Sequence, residues 1–184
     1  LLESVEGGAV RGRYSLIGLA PDLVFRAEGA CAEINRDWAK DRHAFRPLAD
    51  DSLTALRALV SACRIDVPAA LPKALACLVG YFGYETVGLV EKLPRPAPNP
   101  IGVPDMLFVR PTLILAFDRL TDRLFLVAPV WPGQGAADVL IAGAVERIEA
   151  AAARLAQPLP NQARQASLPD PALLKPEPAL ENGR

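Results

Sequence analysis

The sequence predicts an α+β domain, an antiparallel sheet of β-hairpins with helices packed on it. Three observations lead there. Short apolar runs come in neighbouring pairs, each pair separated by a few turn residues, which is the signature of hairpins. Segments with helical periodicity fall between these pairs and do not alternate one for one with strands, so a doubly wound α/β sheet is not indicated. Finally, 184 residues that are 51% apolar suffice for one domain with its own core.

Residues 14–19 read as a strand whose exit is punctuated by Gly18 and Pro21. Residues 23–27 and 30–34 follow as two strands about Glu28-Gly29, a two-residue hairpin turn. Residues 36–51 are polar and read as a loop. Asp51 or Ser52 then caps a helix with Leu53, Leu56, Leu59, Val60 and Cys63 at helical spacing, closed by Pro68 and Pro72. The unbroken apolar run 74–81 predicts a buried strand, and 83–91 a short helix that Pro94 ends. Between Pro94 and Pro104 the proline spacing forbids regular structure and predicts an extended loop. Two strands, 112–118 and 123–129, bracket a turn at 119–122. The alanine-rich segment 136–156 is a helix with one apolar stripe through Val139, Leu140, Ala144, Ile148, Ala151, Ala152 and Leu155. Six prolines between Pro158 and Pro178 mark a linker or fraying terminus.

Composition narrows the function classes. The apolar share and a mean hydropathy of +0.20 exclude disorder for the body of the chain. They point either to a face covered by another domain or to an alanine-rich host composition. Net charge is −1 with no basic run, so no nucleic-acid partner is expected. No apolar stretch of about 18 residues occurs, and none spans a membrane. The chain starts at Leu1 without a visible signal peptide, which suggests a missing N-terminal piece. Cys31, Cys63 and Cys77 form neither a CxxC pair nor a disulfide framework and read as buried reduced thiols of a cytoplasmic protein.

Catalytic motifs are missing: no HExxH, GxSxG, Walker loop or dinucleotide fingerprint occurs. Gly80-Tyr81-Phe82-Gly83 fits no phosphate cradle and reads as a tight strand-to-helix turn. His43, the single histidine, lies in the polar loop without visible partners for acid–base or metal work. Asp50-Asp51 reads as helix-capping, and Glu85 and Glu91 are too far apart to share a helix face well. Trp38 and Trp131 read as packing residues. The residues alone supply no complete active site.

Four stretches, however, recur in a fixed order: LLESVEGG at 1–8, GRYSLIGLAPDLVFRA at 12–27, LVGYFGYETVGLVEKLP at 78–94, and NPIGVPDMLFVRPTLILAFD at 99–118. Together they resemble the N-terminal region of anthranilate synthase component I, the large subunit, within the chorismate-utilising enzymes. The resemblance covers residues 1 to about 155. It implies the N-terminal part of that family's fold. It also implies an enzyme of tryptophan biosynthesis that makes anthranilate and pyruvate from chorismate. Ammonia would come from a glutamine amidotransferase subunit, component II, and a magnesium ion would assist. The chorismate and magnesium ligands of the family belong to a C-terminal half, so no catalytic or metal residue is assigned here. The implied division is a tryptophan-sensing domain at 1–157 and a linker at 158–184 towards a C-terminal chorismate-binding domain.

In this family the N-terminal region mediates feedback inhibition by L-tryptophan, and the LLES motif lines the inhibitor pocket. That role falls on Leu2, Glu3 and Ser4. The polar pair would meet the charged ends of the amino acid, and Leu2 with the Tyr14 strand would wall the indole. The residues by themselves also allow an ordinary edge strand with Glu3 and Ser4 on its wet side. Two departures matter. The family pocket is completed by an Asn-Pro-x-Pro-Tyr-Met-Phe segment of the C-terminal half, which Asn99-Pro100 does not replace. Gly88 stands where the family often has arginine, and glycine there weakens a helix by about 1 kcal/mol. Two alternatives stay open: the N-terminal domain of aminodeoxychorismate synthase component I, distinguished by its product, and a non-catalytic interaction module holding a partner by an apolar face.

Overall fold

In the computed structural model, residues 1–3, 12–72, 75, 78–92, 99–131 and 135–158 are described. Six strands form one antiparallel sheet: β1 (Tyr14–Glu28), β2 (Cys31–Asn35), β3 (Arg46–Pro47), β4 (Val79–Phe82), β5 (Met106–Asp118) and β6 (Arg123–Val127). The order is β3-β2-β1-β5-β4, and β6 also pairs with β5. Two helices accompany it, α1 (Ser52–Ala62) and α2 (Ala137–Leu155), with a 3₁₀ turn at Tyr84–Leu89. The α+β class read from hairpin spacing is the observed one.

The sheet is organised on one long pair. β1 and β5 run antiparallel from Tyr14↔Asp118 to Ala27↔Met106. Each flanking element covers only part of this pair. β2 pairs with Val24–Glu28 of β1, β4 with Met106–Val109 of β5, and β6 with Ile114–Asp118. The first half of β1 therefore has an edge that β2 does not reach, and this edge matters below.

Several expectations are corrected. Gly18 and Pro21 do not end a strand; β1 continues through them, with a bulge between Pro21 and Leu23 and Ala20 at φ 47°. The reason is pairing: Pro21 stands opposite Pro111, so the two missing N–H donors coincide at an interruption that the bulge already makes. For the same reason β5 begins at Met106 and runs through Pro111, where a start at residue 112 was expected. The first hairpin turn is Gly29-Ala30, with Gly29 at φ 52°. The polar loop contains β3, two residues paired to β2.

The run 74–81 is not a buried strand. β4 starts at Val79, and Gly80, Tyr81 and Phe82 are exposed because β4 forms a sheet edge. Leu75, described alone within 73–77, is buried against Ile114 and Ala116. The helix expected at 83–91 is the 3₁₀ turn, with open space where a Cβ of Gly88 would stand. Of the 94–104 loop, residues 99–104 are irregular as expected, and 94–98 lie outside the described residues.

Two apolar clusters hold the sheet. The larger packs Leu23, Phe25, Ala27, Ile34 and Met106 against Ala55, Leu56 and Leu59 of α1, with Trp131 closing it. Asp51 caps α1 as expected, its carboxylate accepting from the N–H of Leu53 and Thr54 at 3.1 Å. The stripe on α2 is only partly used: Ala144 is buried and Leu140, Ile148 and Ala151 half-buried, whereas Val139, Ala152 and Leu155 are exposed. Cys63 is buried as expected, but Cys31 is exposed, because Ala32 and Ile34 take the inward positions of β2 and alternation turns Cys31 outward. Cys77 lies outside the described residues, as does the segment 159–184. No described helix is long and apolar enough to cross a membrane.

Candidate functional site

The open edge of β1 is occupied by the chain's first residues. Leu2 N–H donates to Leu16 O, and Leu16 N–H to Leu2 O, both at 2.8 Å. This pairing stands Leu1 and Leu2 beside the stretch of β1 that precedes the bulge. Between them and the sheet opens an apolar cleft of ≈ 180 Å³. Leu1 and Leu2 form one wall, Leu16, Gly18 and Pro21 of β1 the base, and Val79, Val109, Pro111 and Ile114 the rest. Gly18 keeps the cleft open where the strands meet; a Cβ there would come within 3.1 Å of Pro111 Cβ.

None of the side chains of these described lining residues is titratable or nucleophilic. A lining of this kind suits an apolar body. The volume of the cleft lies below the roughly 300–1,000 Å³ of complete small-molecule sites.

Charge is supplied at the strand end. Tyr14 lies two residues before Leu16 and so shares its face of β1. The Arg13 guanidinium sits 4.8 Å from the Tyr14 ring centre. It also holds Asp118 through two hydrogen bonds, Nε to Oδ1 at 2.9 Å and Nη2 to Oδ2 at 2.6 Å. Asp118 accepts further from the Thr121 hydroxyl at 2.9 Å and the Leu120 N–H at 3.1 Å. The Arg13 bonds first, then those from Thr121 and Leu120, hold the Asp118 carboxyl well below the usual carboxylate range against the opposing effect of burial.

Of the residues singled out from the sequence, Leu2 lines the cleft. Glu3 is exposed and does not line it, Tyr14 is half-buried on the same strand face, and Ser4 lies outside the described residues. Leu16, Gly18, Pro21 and Pro111 were not anticipated as lining. The signal was present in the alternation 14–16–18 and in two prolines that had to be accommodated within strands. His43 is exposed in its loop. Among the described residues no group of three or more His, Cys, Asp or Glu side chains could hold a metal ion.

No family model matches the chain. Individual relatives do. It is 44% identical over 149 residues to anthranilate synthase component 1 of Cereibacter sphaeroides, covering 80% of this chain and 30% of that protein. To the protein of the same name from Mycolicibacterium smegmatis it is 34% identical over 175 residues, 93% of this chain and 32% of the relative. To that of Thermus thermophilus it is 36% identical over 129 residues, 70% and 26% respectively. The chain thus spans about a third or less of the length of these relatives. Among solved structures, anthranilate synthase component I from Streptococcus pneumoniae superposes with a TM-score of 0.61 at 19% identity, covering 88% of this chain and 32% of that one. That likeness establishes the fold.

Proposed function

Because the chain belongs to the anthranilate synthase component I family and corresponds to its N-terminal part, we propose that it is the domain through which L-tryptophan inhibits an anthranilate synthase. The observation that carries this reading is the apolar cleft walled by Leu2, whose described lining side chains include no acid, base or nucleophile. Such a cleft suits the indole of an inhibitor better than a reacting substrate. The ammonium and carboxylate of the amino acid would be met near Ser4, Glu3 and the Tyr14 end of β1. Residues of a C-terminal half would complete the enclosure, in keeping with the small volume. Inhibition then follows from linkage: tryptophan favours one arrangement of the two halves, which turns over chorismate poorly.

In this reading the whole enzyme works in the cytoplasm and converts chorismate and ammonia to anthranilate and pyruvate. Chorismate and magnesium are held by the C-terminal half, and component II supplies the ammonia. Joining residues 1–157 to the C-terminal part of a relative tests the assignment. The chimera is expected to form anthranilate, not aminodeoxychorismate, and to be inhibited by L-tryptophan. Ser4→Phe is expected to relieve inhibition at least tenfold while sparing turnover. Unchanged tryptophan sensitivity in that variant would contradict the assignment, and an aminodeoxychorismate product would move the chain to the sister enzyme.

A further inference from the structure

β4 is a sheet edge: β5 pairs with one side of it, and among the described residues no strand pairs with the other. Gly83 N–H donates to Asp105 O, so antiparallel alternation bonds Tyr81 to Leu107. The same alternation turns the N–H and C=O groups of Gly80 and Phe82 to the open side. A free edge is a template for another strand, and native proteins guard such edges with charge, proline or a bulge. Val-Gly-Tyr-Phe at 79–82 has no charge and no proline, and its register with β5 is regular.

The side chains beside this edge are no better covered. Phe82 is 59% exposed even though its ring meets that of Phe108 edge-on at 5.0 Å. Tyr84 is 86% and Ile101 81% exposed. The Tyr81 hydroxyl donates to Pro104 O at 2.8 Å, which holds the end of the 99–104 loop beside the strand. Val79, the first residue of β4, is also part of the cleft lining, so apolar surface runs on from the cleft to the edge. Contiguous exposed apolar surface of this kind marks an interaction site.

Two observations point to the occupant. This chain spans only 30% and 32% of two of its relatives, so most of their length lies outside it. The open edge also adjoins the cleft that a C-terminal half would complete. We propose that an extended segment of the C-terminal half adds to β4 as a further strand. Its backbone pairs with the outward groups of Gly80 and Phe82, and apolar side chains around it cover Phe82, Tyr84 and Ile101. This docking presupposes the C-terminal half of the reading above and does not depend on tryptophan.

Amide hydrogen exchange tests it on the isolated chain and on the chimera described above, both without tryptophan. Anthranilate formation verifies that the chimera is assembled. The Gly80 and Phe82 amides are expected to exchange at least tenfold more slowly in the chimera, while that of Tyr81, bonded to β5 in both, changes less. Tyr84→Lys combined with Ile101→Lys is expected to remove the slowing and to leave the urea midpoint of the isolated chain unchanged. Ile141→Lys, on the exposed side of α2, is expected to leave the slowing in place. Equal exchange in chain and chimera, or slowing that survives the double variant, overturns the proposal. So does slowing in the isolated chain that grows with its concentration, which assigns the edge to a second copy, or slowing that appears only when component II is added. A protected edge in a chimera that tryptophan does not inhibit removes the inhibitor reading alone; an open edge in an inhibited chimera removes the docking alone.

Discussion

At the scale of single residues, the sheet depends on places where a side chain is missing. Gly80 of β4 faces Phe108 of β5 so closely that a Cβ would strike the Leu107 carbonyl and lie 2.7 Å from Phe108 Cα. Backbone cannot yield as the tip of a side chain can. Gly80→Ala is therefore expected to destabilise the chain by about 1–3 kcal/mol, the usual cost of overpacking, seen as a lower urea midpoint at unchanged slope. A midpoint within error of the parent would mean that β4 is not held in this register. The sequence showed Gly80 beside an apolar run but not what it faces, because strand partners distant in sequence leave no local trace. The same holds for Pro21 and Pro111. Each reads locally as a breaker, and only their mutual pairing makes both compatible with one ladder.

Among elements, β1 and β5 are clamped in the middle and at one end of their shared ladder. Arg110 binds Asp22 beside the bulge, and Arg13 binds Asp118 where the ladder ends. The second clamp also ties in the β5–β6 turn through Thr121 and Leu120. Because the folded state depresses the Asp118 pKa, its contribution is present above the ordinary value of 3.8 and is lost as pH falls below it towards the folded-state value. Asp118→Asn is expected to be less stable than the parent at pH 7 and to lose less on acidification from pH 5 to pH 2. Parallel acid limbs for parent and variant, by urea unfolding at each pH, would remove Asp118 from this role. Elements set by local pattern were legible: α1 with its Asp51 cap, the β5–β6 hairpin, and α2 to within a residue at each end. Edge or interior position was not legible. The apolar run that became β4 and the stripe on α2 are less covered than their hydrophobicity suggests, since coverage depends on which elements the topology sets beside them.

On the scale of the whole molecule, the apolar surplus noted in the composition is carried in part on the outside. Phe82, Tyr84, Val90 and Ile101 are exposed on and beside β4, with Tyr84 86% exposed, and Ile141, Val145 and Leu155 are exposed on α2. The Leu1–Leu2 wall belongs to the same description, with Leu1 80% and Leu2 50% exposed. The candidate site was half legible. The LLES motif pointed to Leu2, but the cleft is built mainly from strand residues whose convergence follows from the β1–β5 register. The central claim is that this cleft is where tryptophan acts, and a charge placed in its wall tests it most directly. Leu2 is joined to β1 by backbone bonds that any side chain permits, so Leu2→Asp leaves the sheet intact while setting a carboxylate against the indole position. The measurement is the L-tryptophan dose–response of anthranilate formation by the chimeric enzyme, with Leu2 and with Asp at that position. Turnover without tryptophan is expected to be unchanged and the inhibitory concentration raised at least tenfold in the variant; superimposable curves would contradict a tryptophan site in this cleft.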